Sequence, residues 1–400
     1  MLRPALHSLV GDAEAFLEKS WARAPHLCRG EGRAGSETFS DWLGLEQVDH
    51  IVSSMSLRAP AFRLVRQGCV LPPSSYLRTG TIGSQRVADL PDTAKVLGHF
   101  HDGATIVLQG LQRWWPAVAE FCADLEAELT HPVQANAYVT PPGSQGLKVH
   151  HDTHDVFAVQ THGRKRWVTY APVVSAPLAS QGWSRGKGEP GEPTMDIELL
   201  AGDCLYLPRG TLHAATTTET EASVHLTLGV RAVTWHDVLG RVVAGSAQDE
   251  RFRAALPAGF AGSDVDWSAE LAEQLEALAA WVRERDVAQI ADEERDRFWE
   301  TRPPRLPGQL AQLLALDEVG PKTVVQRRPG AHARMDEQAG FVRLHLGERS
   351  LRLPTRAASA LRMAVDAPRF AVGELPGLDA PGRVVLVRRL IREGLLRAVE

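Results

Sequence analysis

Two histidines and one aspartate supply the residue types of a metal centre. His150 and Asp152 are two positions apart in the triplet His150-His151-Asp152, and His213 lies in the strand-like block 202–215. Side chains at i and i+2 of a strand point to the same face, so a strand would direct His150 and Asp152 to one ion while His151 faces away. Two imidazoles and one carboxylate leave other metal positions open, an arrangement typical of non-haem Fe(II) oxygenases.

The surroundings of this triplet are more specific than the triplet itself, because a lone His-x-Asp is common by chance. The segment NAYVTPPGSQG precedes it, DVFAVQ follows it, and GDCLYLPRGTLHAA contains the second histidine. Alternation over residues 156–161 predicts a strand with one buried face. His213 follows the short apolar run LYLPRG, as expected of a ligand from a neighbouring strand.

The segments NAYVTPPGSQG, HHDTHDVFAVQ, GRKRW and GDCLYLPRGTLHAA resemble those of the ribosomal oxygenases, over about residues 130–230. These are JmjC-type, cupin-like 2-oxoglutarate oxygenases that hydroxylate side chains of ribosomal proteins. The resemblance implies an α+β fold built on a double-stranded β-helix (jelly roll) that holds Fe(II), with 2-oxoglutarate and O2 as cosubstrates. It assigns His150, Asp152 and His213 as iron ligands.

The resemblance also assigns the residues that bind 2-oxoglutarate. Lys165 matches the basic residue that pairs with its distal carboxylate, and Asn136 and Tyr138 match polar residues that line its pocket. Close relatives are expected to have a serine hydroxyl near the cosubstrate where this chain has Gly229. Either Thr227 or water satisfies the pocket instead, or the affinity for the cosubstrate is reduced.

The chemistry of Lys165 supports the same role independently. A dicarboxylate in a narrow barrel needs a buried cation, because an unpaired buried charge is costly. A charge-assisted hydrogen bond from a lysine meets that need. If this segment is a strand, Arg164 and Arg166 face outward. The alternative is that Lys165 is a solvated charge in a basic GRKR turn.

Length, charge and cysteines bound the class of protein. The 400 residues suggest two or three domains, and no apolar run approaches the roughly 18 residues of a membrane span. Four scattered cysteines without a C-x-x-C pair, and an N-terminus unlike a signal peptide, predict a cytoplasmic protein with reduced thiols. Residues 306–400 carry 15 Lys/Arg and 10 Asp/Glu, so the rest of the chain is acidic. An acidic part favours a basic partner, such as a ribosomal protein segment, although acidic surfaces are also common.

Three domains are predicted: a catalytic domain over 1–234, a helical domain over 235–305, and a winged helix over 306–400. Within the second, the stripe Leu271, Leu275, Leu278 and Val282 predicts an amphipathic helix with Ser268 as N-cap. The resemblance places a dimerisation domain here and implies a homodimer. The alternative is a helix that packs on its own barrel. Pro303-Pro304 marks the following boundary.

The predicted winged helix consists of a strand pair over 341–354, helices over 357–365 and 382–393, and a closing strand at the C-terminus. Arginines of the second helix alternate with apolar residues and lack an accompanying recognition set, so direct DNA binding is disfavoured. In the first domain, a strand is expected around 103–111 and a helix over 114–129. His99-Phe100-His101 could bind metal from a strand, but a structural or substrate-side role is favoured.

Three functions are compatible with these residues. The first is hydroxylation of a His or Arg side chain of a ribosomal protein. The second is oxygenation of a peptide or small-molecule natural product. The third is a non-catalytic metal-binding cupin with a regulatory or interaction role, against which the complete triad and Lys165 argue. Demethylation of methyl-lysine uses the same oxidant, so the triad does not exclude it.

Overall fold

The computed structural model describes residues 4–30, 39–183, 190–302, 305–328 and 330–399. The chain divides into two compact units, Met1–Ala232 and Val233–Glu400. None of the helices in the described ranges is long and apolar enough to span a bilayer. The boundary predicted at Pro303-Pro304 lies outside the described residues.

The elements of the first unit are, in chain order, α1 (Pro4–Val10), α2 (Ala13–Lys19), β1 (His26–Cys28), α3 (Phe39–Trp42), α4 (Leu45–Ser54), β2 (Phe62–Arg66), β3 (Cys69–Val70), β4 (Leu77–Ile82), β5 (Gln85–Pro91), α5 (Thr93–His101), β6 (Thr105–Gln109), α6 (Pro116–Leu129), β7 (Val133–Thr140), β8 (Asp155–His162), β9 (Arg164–Tyr170), β10 (Pro193–Leu200), β11 (Cys204–Leu207), β12 (Leu212–Thr217) and β13 (Ser223–Val230). Those of the second unit are α7 (Trp235–Gly245), α8 (Ser268–Arg283), α9 (Val287–Glu300), α10 (Gln309–Leu314), β14 (Val324–Arg327), β15 (Arg334–Gln338), β16 (Phe341–Leu346), β17 (Arg349–Pro354), α11 (Ala358–Asp366), β18 (Arg369–Ala371), α12 (Ala380–Arg392) and β19 (Leu396–Val399).

Two antiparallel sheets form the core of the first unit. The larger has the order β1-β11-β8-β13-β7-β6-β2-β3, and the smaller has the order β10-β9-β12. The chain passes from the larger sheet to the smaller between β8 and β9, at Gly163, whose φ is +62°. This is the cupin-like arrangement that the resemblance implied.

Strand β8 is buried on both faces, so the prediction of one buried face was wrong. Phe157 and Val159 belong to a core cluster that includes Phe16 of the N-terminal helix α2. Val156 and Ala158 face the other way, into a cluster with Trp167 of the smaller sheet. Sequence alternation could not show this, because both sets of side chains are apolar.

The flanking predictions were mostly confirmed. The predicted helix at 114–129 is α6, which begins at Pro116, and the predicted strand around 103–111 is β6. The segment His99-Phe100-His101 is the end of helix α5 and not a strand. That helix begins where the Asp92 side chain accepts a hydrogen bond from the Lys95 N–H, which the apolar pattern did not reveal.

The second unit contains the predicted helices and the predicted strand pair. Helix α8 starts at Ser268 with Trp267 at the N-cap position, so the cap prediction was wrong by one residue. The Asp266 side chain instead accepts a hydrogen bond from the Ser268 N–H at 3.0 Å. Strands β16 and β17 pair around Gly347, and β19 pairs with β14. Strand β15 was not predicted, because RMDEQ has no apolar alternation.

Candidate active site

The side chains of His150, Asp152 and His213 converge on one point in the first unit. Each offers a ligand atom, and these atoms lie within 4.8 Å of one another. The His213 Nε2 lies 3.6 Å from Asp152 Oδ2, and the two imidazole centroids are 4.5 Å apart. Within the described ranges, this is the one such group of three or more potential metal ligands.

The backbone brings the ligands together by a β-bridge and not by a regular strand. His150 and Asp152 lie before the start of β8, so the prediction that they belong to one strand was wrong. The His150 N–H donates to the His213 carbonyl at 3.1 Å, and the His213 N–H donates back at 2.8 Å. The Gly210 N–H donates to the Asp152 carbonyl at 3.0 Å. These bonds fix both ligand-bearing segments side by side.

Hydrogen bonds orient both imidazoles for metal binding. His150 Nδ1 lies 2.8 Å from the Lys148 carbonyl, and His213 Nδ1 lies 3.0 Å from the Thr211 carbonyl. A carbonyl oxygen only accepts, so each Nδ1 carries the proton and each Nε2 keeps its lone pair. Burial, followed by the nearby His150, lowers the pKa of His213 to about 4. His213 is therefore neutral at pH 7, the form that binds a metal ion.

Asp152 and His151 differ in their surroundings. Burial is the largest single influence on the pKa of Asp152 and raises it, but the attraction of the imidazoles, led by that of His213, outweighs burial and lowers the pKa overall. Asp152 is therefore a carboxylate at neutral pH. His151 faces away from the ligands, as predicted: its Nε2 lies 3.2 Å from the Gln181 carbonyl and its ring packs near Trp183.

Lys165 lies in β9 with only 3% of its surface exposed. Its Nζ donates to Thr140 Oγ1 at 3.0 Å and lies 3.4 Å from His225 Nδ1. Desolvation lowers the pKa of Lys165 to about 7. Arg164 and Arg166 alternate to the outer face, where they pair with acidic side chains. Lys165 is thus a buried amine that is only partly protonated at pH 7, and the alternative of a solvated charge in a turn is excluded.

A cavity extends from the three potential metal ligands to Lys165. Its lining residues are Thr105, Tyr138, Thr140, Gly146, Leu147, His150, Asp152, Val156, Lys165, Trp167, His213, Ala215, His225 and Thr227. Tyr138 stacks on His225 with 4.9 Å between ring centroids, and burial raises the pKa of Tyr138 to about 12.

Two residues discussed from the sequence lie outside this lining. The Asn136 Oδ1 accepts a hydrogen bond from the Gly110 N–H at 3.0 Å. Gly229 is covered by the His154 imidazole, whose Cε1 would lie 2.9 Å from a Cβ at position 229. The space that a side chain at 229 would fill is therefore already occupied by a histidine.

Sequence reasoning missed Thr140, Trp167 and His225 as members of the cavity. Each is two positions from a residue that it did identify: Thr140 follows Tyr138, Trp167 follows Lys165, and His225 precedes Thr227. Since strand residues two apart share a face, the alternation was a usable signal. Thr105 donates to Thr140 at 3.1 Å from the neighbouring strand, which only the pairing of the strands reveals.

Comparison with known proteins adds to this geometry. Residues 107–238 match the JmjC domain family. A bifunctional lysine-specific demethylase and histidyl-hydroxylase NO66 from Drosophila mojavensis is 37% identical over 34% of this chain and 15% of its own length. Ribosomal oxygenase 1 from Danio rerio is 28% identical over 62% of this chain and 45% of its own length. Residues 107–238 therefore match a JmjC domain, and the relatives similar to this part of the chain are named as histidyl-hydroxylase or ribosomal oxygenase.

The chain thus spans less than half the length of each of these two relatives. Among solved structures, E. coli YcfD superposes with a TM-score of 0.56 at 16% identity, covering 96% of this chain and 98% of that one. A second structure, of YcfD as a ribosomal oxygenase in complex with cobalt and 2-oxoglutarate, gives a TM-score of 0.53, with 97% and 98% covered. At this identity the likeness establishes the fold, which agrees with the two-sheet architecture described above.

Proposed function

We propose that the chain is an Fe(II)- and 2-oxoglutarate-dependent oxygenase that hydroxylates a His or Arg side chain of a ribosomal protein. The observation that carries this proposal is one cavity with two contrasting ends. One end has two imidazoles and a carboxylate, and the other has a buried lysine for which no ion pair occurs among the described residues. A metal-chelating dicarboxylate complements both ends.

Each part of the site has a distinct task in this proposal. His150, Asp152 and His213 hold Fe(II), since the donor set and the free Nε2 lone pairs suit it. Lys165 donates to the distal carboxylate of 2-oxoglutarate, while Thr140 Oγ1 is already its partner. The bound iron, 2-oxoglutarate and O2 together supply the oxidising chemistry that turns a C–H bond into C–OH.

The remaining cavity residues shape the cosubstrate site. Tyr138 and Thr227 provide hydroxyls on its wall, and Val156 and Trp167 exclude water. Asn136 stays in the proposal as a neighbour of Tyr138 on the same face of β7, with its Oδ1 held by the Gly110 N–H. That hydrogen bond fixes the orientation of the amide group.

The substrate class is supported by charge and by the relatives. Residues 1–305 carry the acidic excess of the chain, which suits the basic segments of ribosomal proteins. Relatives are named as histidyl-hydroxylase and ribosomal oxygenase. Such a substrate would place the protein in the cytoplasm. The name of the first relative also includes lysine-specific demethylase, so demethylation of methyl-lysine is the second candidate reaction.

We also propose that residues 235–305 form a dimerisation domain and residues 306–400 a scaffolding winged helix. Apolar side chains on α7 and α8 are exposed in the single chain, with Trp235 at 81% and Leu275 at 57%. A second copy that covers this face would form a homodimer. Light scattering of wild type and Leu275→Glu tests this: a dimer that becomes a monomer supports it, and a monomeric wild type contradicts it.

The test of the proposed activity is turnover of 2-oxoglutarate. The purified chain is loaded anaerobically with Fe(II), mixed with 2-oxoglutarate, O2 and purified ribosomal proteins, and succinate is followed together with a one-oxygen mass gain on those proteins. His150→Ala is the control. We expect both signals in the wild type and neither in the variant. A wild type that neither binds 2-oxoglutarate nor forms succinate would refute an oxygenase.

A further inference from the structure

Asp155, the first residue of β8, is fully buried and has no part in the site described so far. Its Oδ1 accepts a hydrogen bond from the Arg209 N–H at 2.8 Å. Arg209 belongs to the turn between β11 and β12, and β12 carries His213. The Asp155 carboxylate therefore joins the segment that supplies Asp152 to the turn that precedes His213.

This turn is closely packed on both sides. Gly210 follows Arg209 in this turn. Its N–H donates a hydrogen bond to the Asp152 carbonyl at 3.0 Å. Gly210 has a φ of +89°, and a Cβ there would lie 2.5 Å from the Val174 carbonyl oxygen. The turn has little room to shift, so a change in its attachment to Asp155 would be passed on to His213.

The other side of Asp155 faces the N-terminal part of the unit. Its Oδ2 is buried without a hydrogen bond of normal geometry in the described part of the chain, although the Tyr206 hydroxyl interacts with the carboxyl group. The Tyr206 hydroxyl oxygen accepts a hydrogen bond from the Ala22 N–H at 2.8 Å. A buried carboxylate that is only partly compensated costs stability, so a well-packed apolar residue would serve a purely structural role better.

We propose that Asp155 is a positioning residue of the metal site, which sets the separation of Asp152 and His213 through its hydrogen bond to Arg209. The inference rests on the proposed function, because it requires that these residues bind a metal ion. Ligands must be held to within about 0.5 Å of their bonding geometry, and residues that orient ligands typically change metal affinity by about 10- to 100-fold.

The experiment measures Mn(II) affinity and free energy of unfolding on the full-length chain. Asp155→Ala removes the acceptor, and Thr161→Val is the matched control. Thr161 is buried in the same strand, and its Oγ1 donates to the Val224 carbonyl at 3.2 Å, at the far end from the ligands. Both variants are expected to lose stability. Only Asp155→Ala is expected to bind Mn(II) more weakly, by about 10- to 100-fold.

Two further variants cover the case in which Asp155→Ala does not fold. Asp155→Asn keeps a weaker neutral acceptor, and Tyr206→Phe removes the hydroxyl that supports the carboxylate. Each is expected to lose Mn(II) affinity relative to Thr161→Val, by less than the alanine variant would. Equal Mn(II) affinity in the Asp155 variants and Thr161→Val overturns the positioning role. A wild type that binds no Mn(II) instead overturns the metal centre itself, and with it the positioning role.

Discussion

Lys165 shows at the scale of one residue how burial prepares a binding site. Its amino group lines the cavity and donates a hydrogen bond to a threonine hydroxyl, and desolvation brings its pKa to about 7. A carboxylate next to it would favour the protonated form and raise the pKa again. Binding of a dicarboxylate therefore takes up a proton whenever the solution pH lies above 7.

This linkage predicts how 2-oxoglutarate binding depends on pH. Below pH 7 Lys165 is already protonated, so the association constant should be nearly flat. Above pH 7 it should fall by up to about tenfold per pH unit, because the lost proton must be regained. Calorimetry on the Mn(II)-loaded chain between pH 6 and 8.5 measures it. Lys165→Met should bind about 10- to 100-fold more weakly and without this slope. A wild-type affinity independent of pH would contradict the prediction.

Gly229 is a second residue whose role is set by its neighbour. A Cβ at 229 would lie 2.9 Å from His154 Cε1 and 3.0 Å from its Nδ1. Gly229→Ala should therefore destabilise the chain by about 1–3 kcal/mol while His154 is present, and by much less in a His154→Ala background. Denaturant unfolding of the wild type, the two single variants and the double variant gives the coupling energy between positions 229 and 154.

The same four proteins can be used to test whether the glycine at position 229 lowers the affinity for 2-oxoglutarate. Because Gly229 does not line the cavity, all of them should bind 2-oxoglutarate with similar affinity. A large loss of 2-oxoglutarate affinity in Gly229→Ala, without loss of stability, would show that position 229 contributes to the cosubstrate site after all.

At the scale of elements, the passage from β8 to β9 determines where the cosubstrate lysine lies. The chain leaves the larger sheet at His162 and enters the smaller at Arg164, with Gly163 alone between them. Gly163 has a φ of +62°, and a Cβ there would lie 2.1 Å from the Ala222 carbonyl oxygen. The crossing thus makes Lys165 the second residue of β9, where its side chain lines the cavity.

Replacement of Gly163 by alanine should therefore lower the free energy of unfolding by more than backbone strain alone would. Gly83 is the matched control, because its φ is +58° and nothing lies within 4 Å of a Cβ there. We expect Gly83→Ala to cost about 1–2 kcal/mol from its left-handed backbone. Gly163→Ala should cost about 1–3 kcal/mol more, from overlap with Ala222. Urea unfolding measures the loss of stability in both variants. Equal losses would mean that the backbone at Gly163 moves to accommodate the Cβ, and would contradict the prediction.

The sequence was informative where chemistry or periodicity is local. His150, Asp152 and His213 could be named from residue types and motif context, and α6 from its apolar stripe. The β-bridge between His150 and His213 could not, because it depends on strand pairing across 63 residues. Likewise, the sequence predicts one buried face for β8, because the helices that cover its second face are distant in the sequence.

At the scale of the whole molecule, the chain consists of two units with separate cores. One core contains Phe157 and Tyr206, and the other contains Phe370 and Leu390. The candidate site lies entirely within the first unit. A ligand that binds the native site stabilises only the cooperative unit that forms it.

Calorimetric unfolding should therefore show two transitions, of which Mn(II) and 2-oxoglutarate raise only one. At a ligand concentration 100 times the dissociation constant, that unit should gain about 2.7 kcal/mol. Asp152→Ala serves as the control, since its transitions should not respond to ligand. A single transition that rises with ligand would mean that the two units unfold as one and would contradict the prediction.

The pairing of β1 with β11 has a consequence for the synthesis of the chain. His26 faces Tyr206 in the finished sheet, so the partner of the first strand is translated about 180 residues later. At a translation rate of about 5–20 residues per second, the first strand is without its partner for roughly 10–40 s. The central strands β7 and β13 of the same sheet likewise pair only after Val230 has been made to meet Val133. The nascent N-terminal segment must therefore remain unpaired, within reach of chaperones, until most of the first unit has left the ribosome.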